Sequence, residues 1–100
     1  MDNDLIVLVK KYFDKVNGNT YHSVQFEIDN KIYYSGKIYG YGRQYEKTFE
    51  SLITNDENLQ IYCEKNEIIH RTKGKLIGYP KYIVIENCKA KELKEIHEYK

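Results

Sequence analysis

The 100-residue sequence predicts a single α+β domain. The prediction is an antiparallel sheet, made of a three-stranded N-terminal meander plus two to three further strands, with two helices packed on one face. Residues 5–39 support the sheet, because they form short β-rich runs separated by turn residues. Residues 41–53 support the first helix, because they carry one apolar stripe at helical spacing. One hundred residues leave room for one modest core, so residues 1–100 are expected to form one domain.

The meander is predicted from three strands and two turns. Residues 5–13 are β-branched and aromatic, and residues 20–28 alternate apolar and polar side chains, as expected of a strand with one buried face. Between them, Asn17-Gly18 predicts a two-residue type I′ turn, because both residues tolerate positive φ angles. A second turn at 29–31 leads into a third strand over 32–39.

The middle of the chain is predicted to contain the first helix and a fourth strand. The helix covers about residues 43–54, and its stripe is Tyr41, Tyr45, Phe49, Leu52 and Ile53. A polar loop follows at 55–58. Residues 59–64 then alternate apolar and polar side chains, which favours a short strand.

The C-terminal third is predicted to contain two β-rich runs and a second helix. The runs cover residues 67–72 and 82–86. Residues 71–81 carry two glycines and the proline, which indicates a loop or an irregular edge. Asn87 is expected to cap a helix over residues 88–99, packed beside the first helix on the same face of the sheet.

Composition bounds the function classes. The formal net charge is +1, from 16 Lys and Arg against 15 Asp and Glu. This balance argues against a general nucleic-acid binder, which usually has a basic excess, and against an acidic DNA mimic. The eleven tyrosines reflect either composition alone or a tyrosine-rich contact face.

The start of the chain predicts a cytoplasmic protein with no membrane segment. Met1 is followed by Asp2 and Asp4, unlike the basic start of a signal peptide, and residues 5–9 are too short to span a membrane. In that compartment Cys63 and Cys88 are expected to be free thiols.

The glycine corner, Gly40-Tyr41-Gly42-Arg43, is the first candidate site. A glycine loop that enters a helix can present backbone N–H groups to an anion, and Arg43 would add a charge-assisted bond, so phosphate or a nucleotide is a reasonable ligand. The sequence is neither of the two standard phosphate-loop patterns. The alternative is that the glycines only permit a sharp bend between strand and helix.

Histidine, cysteine and carboxylate chemistry gives no catalytic pattern. Cys63 and His70 are the closest pair, separated by six residues, which is not the short ligand spacing of a zinc site. His22, on the apolar face of its strand, is expected to be a hydrogen-bonded residue at the core. No paired carboxylates and no triad are found. We therefore expect no cofactor, no metal and no enzyme activity.

The basic segment 71–81 is the remaining candidate. Its charged and aromatic residues could contact nucleic acid or an acidic protein surface, or they could form a solvated loop. An acidic stretch at 50–64 is followed directly by a basic stretch at 65–81, and these two stretches could pair within the fold or form two halves of an interaction surface. The expected partner-binding residues of the whole chain are Arg43, Asp56, Glu57, Arg71, Lys73, Lys75, Tyr79 and Tyr82.

Two motifs in the first half resemble a largely uncharacterised family of short proteins from phages and mobile elements. They are Asn19-Thr20-Tyr21-His22-Ser23-Val24, which opens a strand, and Tyr39-Gly40-Tyr41-Gly42-Arg43-Gln44-Tyr45, which opens a helix. Typical members carry an acidic residue where Arg43 stands. The resemblance covers about residues 12–53. It implies a phage accessory protein, a setting in which small proteins often bind and block host CRISPR or other defence components.

The expected function is therefore that of an anti-CRISPR-like inhibitor, which binds a host protein or ribonucleoprotein complex and occludes its surface. Exposed tyrosine and arginine side chains are the residue types that carry such interfaces. The alternative is a nucleic-acid or nucleotide-binding module that uses the glycine corner and the basic segment 71–81. A third reading is a homo-oligomer assembled through an uncovered sheet edge.

Overall fold

The computed structural model describes residues 5–72, 75–78 and 80–96, with the backbone alone for 70–72 and 75–78. The elements in chain order are β1 (Ile6–Asp14), β2 (Asn19–Ile28), β3 (Lys31–Tyr34), β4 (Ile38–Tyr39), α1 (Tyr45–Thr54), α2 (Glu57–Lys65), β5 (Ile69–Thr72), β6 (Lys75–Gly78), β7 (Lys81–Ile85) and a 3₁₀ turn (Ala90–Lys94). Five of the strands form a mostly antiparallel sheet in the order β3-β2-β1-β7, with β4 also paired to β2. The α+β class predicted from the sequence is confirmed.

The β1–β2 hairpin is confirmed, but its predicted turn is wrong. Asp14 pairs with Asn19, so the loop has four residues instead of the two expected at Asn17-Gly18. The Asp14 carboxylate holds this loop, because Oδ1 accepts hydrogen bonds from the backbone N–H groups of Val16 (3.0 Å) and Asn17 (3.3 Å). Asp14 therefore supplies a local turn that competes with the type I′ geometry.

The next turn is the two-residue one. Ile28 pairs with Lys31, and the two residues between them, Asp29 and Asn30, both have positive φ, 51° and 66°. Asn and Asp are the side chains that tolerate this conformation best after glycine.

The predicted third strand is two strands separated by a bulge. β3 and β4 both pair with β2, but the register shifts by one residue between the Gln25–Tyr34 pair and the His22–Ile38 pair. Gly36, between the two pairs, has φ +78°, a backbone conformation that residues with a Cβ rarely adopt.

One face of the sheet, here called the covered face, carries α1, α2 and the main core. Alternate residues of β1 and β2 point to this face, and α1 contributes the apolar stripe predicted from the sequence. The fully buried residues of this layer include Val7, Val9, Val24, Phe26, Phe49 and Ile53. Tyr41, the first residue of the predicted stripe, lies before α1 and is exposed.

The strand predicted at 59–64 is wrong, because these residues belong to α2. Leu59 and Cys63 are buried in the core, whereas Ile61 between them is 57% exposed, so the burial follows helical and not strand periodicity. Asp56 begins the helix, since its Oδ1 accepts a hydrogen bond (3.1 Å) from the backbone N–H of Leu59.

The C-terminal third has more strand structure than predicted. β5 and β7 confirm the two β-rich runs, but part of the expected loop at 71–81 is β6, which pairs antiparallel with β5 in a separate two-stranded sheet. β7 pairs with β1 in parallel, so the main sheet is mixed and not purely antiparallel.

Of the C-terminal helix predicted over 88–99, the described part, residues 88–96, contains one 3₁₀ turn, and residues 97–99 lie outside the described residues. This turn lies on the other face of the sheet, here called the open face. Asn87 has φ +59° and does not cap it, and Lys89 precedes the turn instead. Lys10, on the open face of β1, donates hydrogen bonds to the backbone oxygens of Glu92 (2.8 Å) and Glu95 (2.9 Å). The C-terminal segment therefore does not share a face with α1 as expected, and the second helix on the covered face is α2, which lies where a strand was predicted.

A search of the described residues finds no helix long and apolar enough to cross a membrane.

Candidate binding surfaces

Arg43, the cation of the glycine corner, is paired with a neighbouring acid. It is 76% exposed and forms a salt bridge with Glu46, to which its Nε donates a hydrogen bond of 2.9 Å. This bond and the charge of Glu46 raise the pKa of Arg43. Arg43 is therefore accessible, but its charge is already partly compensated by Glu46, three residues along the chain.

The glycine corner is also occupied by internal hydrogen bonds. The N–H of Gly40 donates to the carbonyl of Thr20 (3.0 Å), and Lys11 Nζ donates to the carbonyl of Gly42 (2.8 Å). A Cβ on Gly40 would lie 2.8 Å from Gln44 Oε1 and 3.0 Å from His22 Cε1. The geometry favours the second reading of this motif, in which glycine permits close packing.

His22 fastens this corner to α1. It is 1% exposed, its Nδ1 lies 3.2 Å from the carbonyl of Gly40, and its Nε2 lies 2.6 Å from the Thr48 hydroxyl. A carbonyl only accepts, so Nδ1 carries the proton and neutral Nε2 accepts from Thr48. Burial lowers the pKa of His22, which favours this neutral form. The expectation of a hydrogen-bonded histidine at the core is confirmed.

Tyr82 is not the exposed contact residue expected from the sequence. Its ring packs against the rings of Tyr45 (5.0 Å between centroids) and Phe49 (6.0 Å) on the covered face. Its buried hydroxyl has no hydrogen-bond partner among the described residues, and burial raises its pKa strongly. Tyr82 therefore belongs to the core.

The remaining predicted contact residues divide into two groups. Asp56 and Glu57 stand at the start of α2, where Asp56 caps the helix and an acid in the first turn favours the helix dipole. Lys73 and Tyr79 lie outside the described residues. The side chains of Arg71 and Lys75 are also outside them, although the backbone places these two positions on β5 and β6.

Both cysteines are free thiols, as expected, and both are buried. Burial raises the pKa of Cys63 to about 11 and also raises that of Cys88. Buried, protonated thiols are poor nucleophiles. Within the described residues, no group of three or more His, Cys, Asp or Glu side chains is placed to hold a metal ion.

Exposed apolar side chains gather at the end of the sheet that contains the β1–β2 loop. Phe13 is 53% exposed, Val16 92%, Ile38 37% and Tyr41 63%. Strand register places Phe13 and Ile38 on the covered face, where they flank β2 at Thr20 and His22. Val16 lies in the loop that follows β1, and Tyr41 lies in the corner that follows β4. We call these four residues the hairpin-end patch.

The open face at the same end carries three tyrosines in one row. Tyr12 pairs with Tyr21, and Tyr21 pairs with Tyr39, so the row crosses β1, β2 and β4. Ring centroids are 6.3 Å apart for the first pair and 5.7 Å for the second. Lys37 Nζ lies 4.4 Å from the Tyr21 ring centroid. We call Tyr12, Tyr21 and Tyr39 the tyrosine row.

A groove of about 590 Å³ lies beside the row, where β7 no longer covers the edge of β1. One wall is the end of β1 and its loop, and the other is the segment that leads into the 3₁₀ turn. Its lining residues are Tyr12, Phe13, Asp14, Lys15, Val16, Asn87, Cys88, Lys89 and Ala90.

Comparisons of this chain with protein-family models, with curated proteins and with solved structures find no match. No similar protein therefore guides the interpretation of the two surfaces, which depends on their geometry alone. Apart from Tyr41, which lies in the glycine corner, none of the row or patch residues belongs to a candidate site predicted from the sequence, although the β1–β2 hairpin was predicted except for its turn.

Proposed function

We propose that this protein is a small binding module that occludes a surface of a host protein complex, such as an antiviral defence effector. The setting comes from the resemblance of residues 12–53 to proteins of phages and mobile elements. In the fold, the two motifs behind that resemblance form the start of β2 and the corner that joins β4 to α1.

The hairpin-end patch carries the proposal. Phe13, Val16 and Tyr41 each leave more than half of their surface in water, although they are large apolar or aromatic side chains. Large exposed apolar side chains at one end of a sheet are typical of a protein interaction site. Tyrosine in particular supplies the anchors of such interfaces, because its ring buries a large area and its hydroxyl keeps a polar contact.

Cations flank the patch. Lys11 lies on the covered face near Tyr45, with its Nζ 5.3 Å from that ring centroid, and Lys15 is exposed in the β1–β2 loop. A partner surface with apolar pockets and an acidic margin would complement this arrangement.

The first test is affinity capture from host lysate with the tagged protein, with and without nuclease treatment. We expect wild type to retain a defined host complex after nuclease treatment. A variant combining Phe13→Ser, Val16→Ser and Tyr41→Ser should lose it, because the apolar anchors are gone. Ile61→Ser is the matched control, since Ile61 is 57% exposed on α2 beside the opposite end of the sheet.

The second test asks whether capture means inhibition. The retained complex is purified, and its activity is measured against increasing concentrations of the wild-type protein, the triple variant and the Ile61→Ser control. Wild type and control should inhibit at stoichiometric concentration, and the triple variant should not. Equal capture and inhibition by all three proteins, with thermal melts showing that each is folded, would remove the patch from the proposal.

A further inference from the structure

We propose that the open face carries a binding site for single-stranded nucleic acid, formed by the tyrosine row and the adjoining groove. This inference does not rest on the proposed function, because the row lies on the opposite side of the sheet from Phe13, Ile38 and the corner. The groove shares Phe13 and Val16 with the hairpin-end patch, so the row residues are the ones that separate the two sites in the test. It also uses different residues from the glycine corner and the basic segment 71–81.

The tyrosine row provides the stacking surface. Tyr12 and Tyr21 are half-buried and Tyr39 is 60% exposed, so the rings stand on the sheet without being covered by the 3₁₀ turn. Three neighbouring strands span roughly 10 Å, the distance over which sheet-based RNA-binding domains stack about two or three bases. Stacking tolerates every base, because every base has a π-face.

Lysines stand over the row and beside it. Lys37 Nζ lies 4.4 Å from the ring centroid of Tyr21 and 5.7 Å from that of Tyr12. Lys15 and Lys89 line the groove next to Tyr12. A strand that lies on the row would therefore meet one cation at the rings and two at the groove, where its phosphates could bind.

The acids beside the groove are already engaged in local hydrogen bonds. Asp14 lines the groove, but Oδ1 accepts from two backbone N–H groups of its own loop and Oδ2 accepts from Asn17 Nδ2 (2.9 Å). These bonds lower the pKa of Asp14 and disperse its charge over the loop. Glu92 accepts a hydrogen bond from the backbone N–H of Lys89 (2.8 Å). Both acids stay charged, but Lys15, Lys37 and Lys89 outnumber Asp14, the acid that lines the groove, so the row and the groove are more favourable for an anion than the near-neutral total charge suggests.

The groove has a suitable size and the rings select an unpaired strand. About 590 Å³ lies within the range of small-ligand sites, so the groove admits a nucleotide. A duplex hides its base faces inside the stack, so it would reach the lysines without using the rings. An acidic peptide would likewise use the lysines alone.

The test uses the purified full chain and fluorescence anisotropy with labelled oligo-dT and oligo-U of about 12 nucleotides. We expect saturable binding that weakens between about 50 and 200 mM salt. The logarithm of the binding constant should fall with the logarithm of the salt concentration, with a slope of roughly −0.7 for each phosphate contact. Lys37→Gln should reduce the slope by roughly 0.7. The matched control is Lys31→Gln, because Lys31 Nζ also lies over a tyrosine, 5.0 Å from the Tyr33 ring centroid, but at the other end of the sheet.

Ring substitutions separate stacking from charge. Tyr39→Leu and Tyr12→Leu should each weaken binding roughly 5- to 150-fold, whereas Tyr39→Phe and Tyr12→Phe should retain most of the affinity. Tyr41→Leu is the control, since Tyr41 is 63% exposed but outside the row. Thermal melts establish that each variant is folded, and the exposed position of Tyr39 keeps one ring variant informative if Tyr12→Leu unfolds.

Four outcomes would overturn the inference. They are no anisotropy change at low salt, equal affinity for duplex and single strand, equal loss from Tyr41→Leu and Tyr39→Leu, and displacement of the oligonucleotide by poly-glutamate as readily as by unlabelled strand. The last result would assign the lysines around the row to an acidic protein surface. None of these outcomes decides whether the hairpin-end patch binds a host protein, which is measured after nuclease treatment.

Discussion

The two faces of the main sheet are held in different ways. On the covered face, β1 and β2 contribute valine, phenylalanine and isoleucine side chains that lie in one apolar layer under α1 and α2. On the open face, the same strands contribute Lys10, Ser23 and Gln25, which are buried under one 3₁₀ turn. Hydrogen bonds from Lys10 Nζ and from the Tyr34 hydroxyl to backbone carbonyls attach that turn.

This difference assigns most of the stability to the covered face and the proposed nucleic-acid site to the open face. Apolar burial is the main favourable term in folding, so the covered face should supply most of the stability. The open face is covered by the 3₁₀ turn over part of its area, so the tyrosine row beside this turn stays accessible. The same strands therefore present a core on one side and, on the other, the exposed tyrosine row that we propose as a binding surface.

The largest expected effect is that of Phe26→Ala. Phe26 is fully buried, with its ring centroid 5.2 Å from that of Tyr33 and 5.3 Å from that of Phe49. Truncation should lower the free energy of unfolding by about 3–5 kcal/mol. Urea denaturation measures this, with Phe26→Leu as a milder variant if the alanine protein does not fold.

Ile32→Ala is the matched control on the open face. Ile32 lies on β3 opposite Glu27 and is 37% exposed, so its truncation should cost less than about 1 kcal/mol. Similar losses for the two alanine variants would contradict the assignment of stability to the covered face.

Lys10→Met tests the polar attachment on the open face. Lys10 is 6% exposed, and its removal leaves the carbonyls of Glu92 and Glu95 without their ammonium donor. We expect a loss of about 1–3 kcal/mol. Hydrogen exchange should show the segment around the 3₁₀ turn opening before the rest of the sheet.

Lys11→Met provides the comparison for Lys10→Met. Lys11 Nζ also donates to a carbonyl, that of Gly42, but this bond is exposed and water can replace the donor. A smaller loss, about 0.5–1 kcal/mol, is expected. If Lys10→Met were as mild as this control, the 3₁₀ turn would be held by apolar contacts instead, chiefly those of fully buried Leu93.

The sequence predicted the covered face better than the open one, for a physical reason. Alternation in β2 and the helical stripe of α1 are strong periodic signals, and both elements are confirmed. The strand predicted at 59–64 was wrong because three apolar residues happen to alternate, although only Leu59 and Cys63 are buried. The N-cap at Asp56 was the available signal for a helix there.

The tyrosine row was missed because the turn was misassigned. A two-residue turn at Asn17-Gly18 would place Tyr12 opposite Ser23, whereas the four-residue loop held by Asp14 places it opposite Tyr21. The alternation of side chains along a strand predicts which face a residue occupies, but the turn decides which residue of the neighbouring strand lies opposite it. A candidate site built from three strands therefore depends on local turn chemistry that periodicity does not contain.

Asp56→Ala tests the attachment of α2 to the covered face. The Asp56 side chain accepts the Leu59 N–H, so its removal leaves a helix donor unsatisfied and should cost about 1 kcal/mol. Glu57→Ala, at the exposed next position, should cost less than about 0.5 kcal/mol. Thermal melts of the two variants compare them directly, and equal melting temperatures would remove the cap as a determinant of α2.

The smallest expected effect is the pH dependence that His22 gives to the covered face. Burial lowers the pKa of His22 below its ordinary value of 6.5, whereas the unfolded chain should keep that value. Below pH 6.5 the unfolded chain therefore binds a proton that the folded chain resists. The stability linked to His22 is complete above that pH and is lost as the pH falls toward the folded pKa.

His22→Gln isolates this contribution. Glutamine keeps a donor for the Gly40 carbonyl and an acceptor for Thr48 but does not titrate, so the variant should be less stable overall with a flatter pH dependence. Urea midpoints at pH of about 5.5, 6.5 and 7.5 give the slope of stability against pH for wild type and for the variant. The carboxylates are common to the two proteins, so their contribution cancels in the difference between the slopes. Parallel slopes would mean that His22 has the same pKa in the folded and the unfolded chain, and a slope of opposite sign would mean that it is protonated in the folded protein. Its Nε2 would then donate to Thr48, and the corner between β4 and α1 would hold a buried cation.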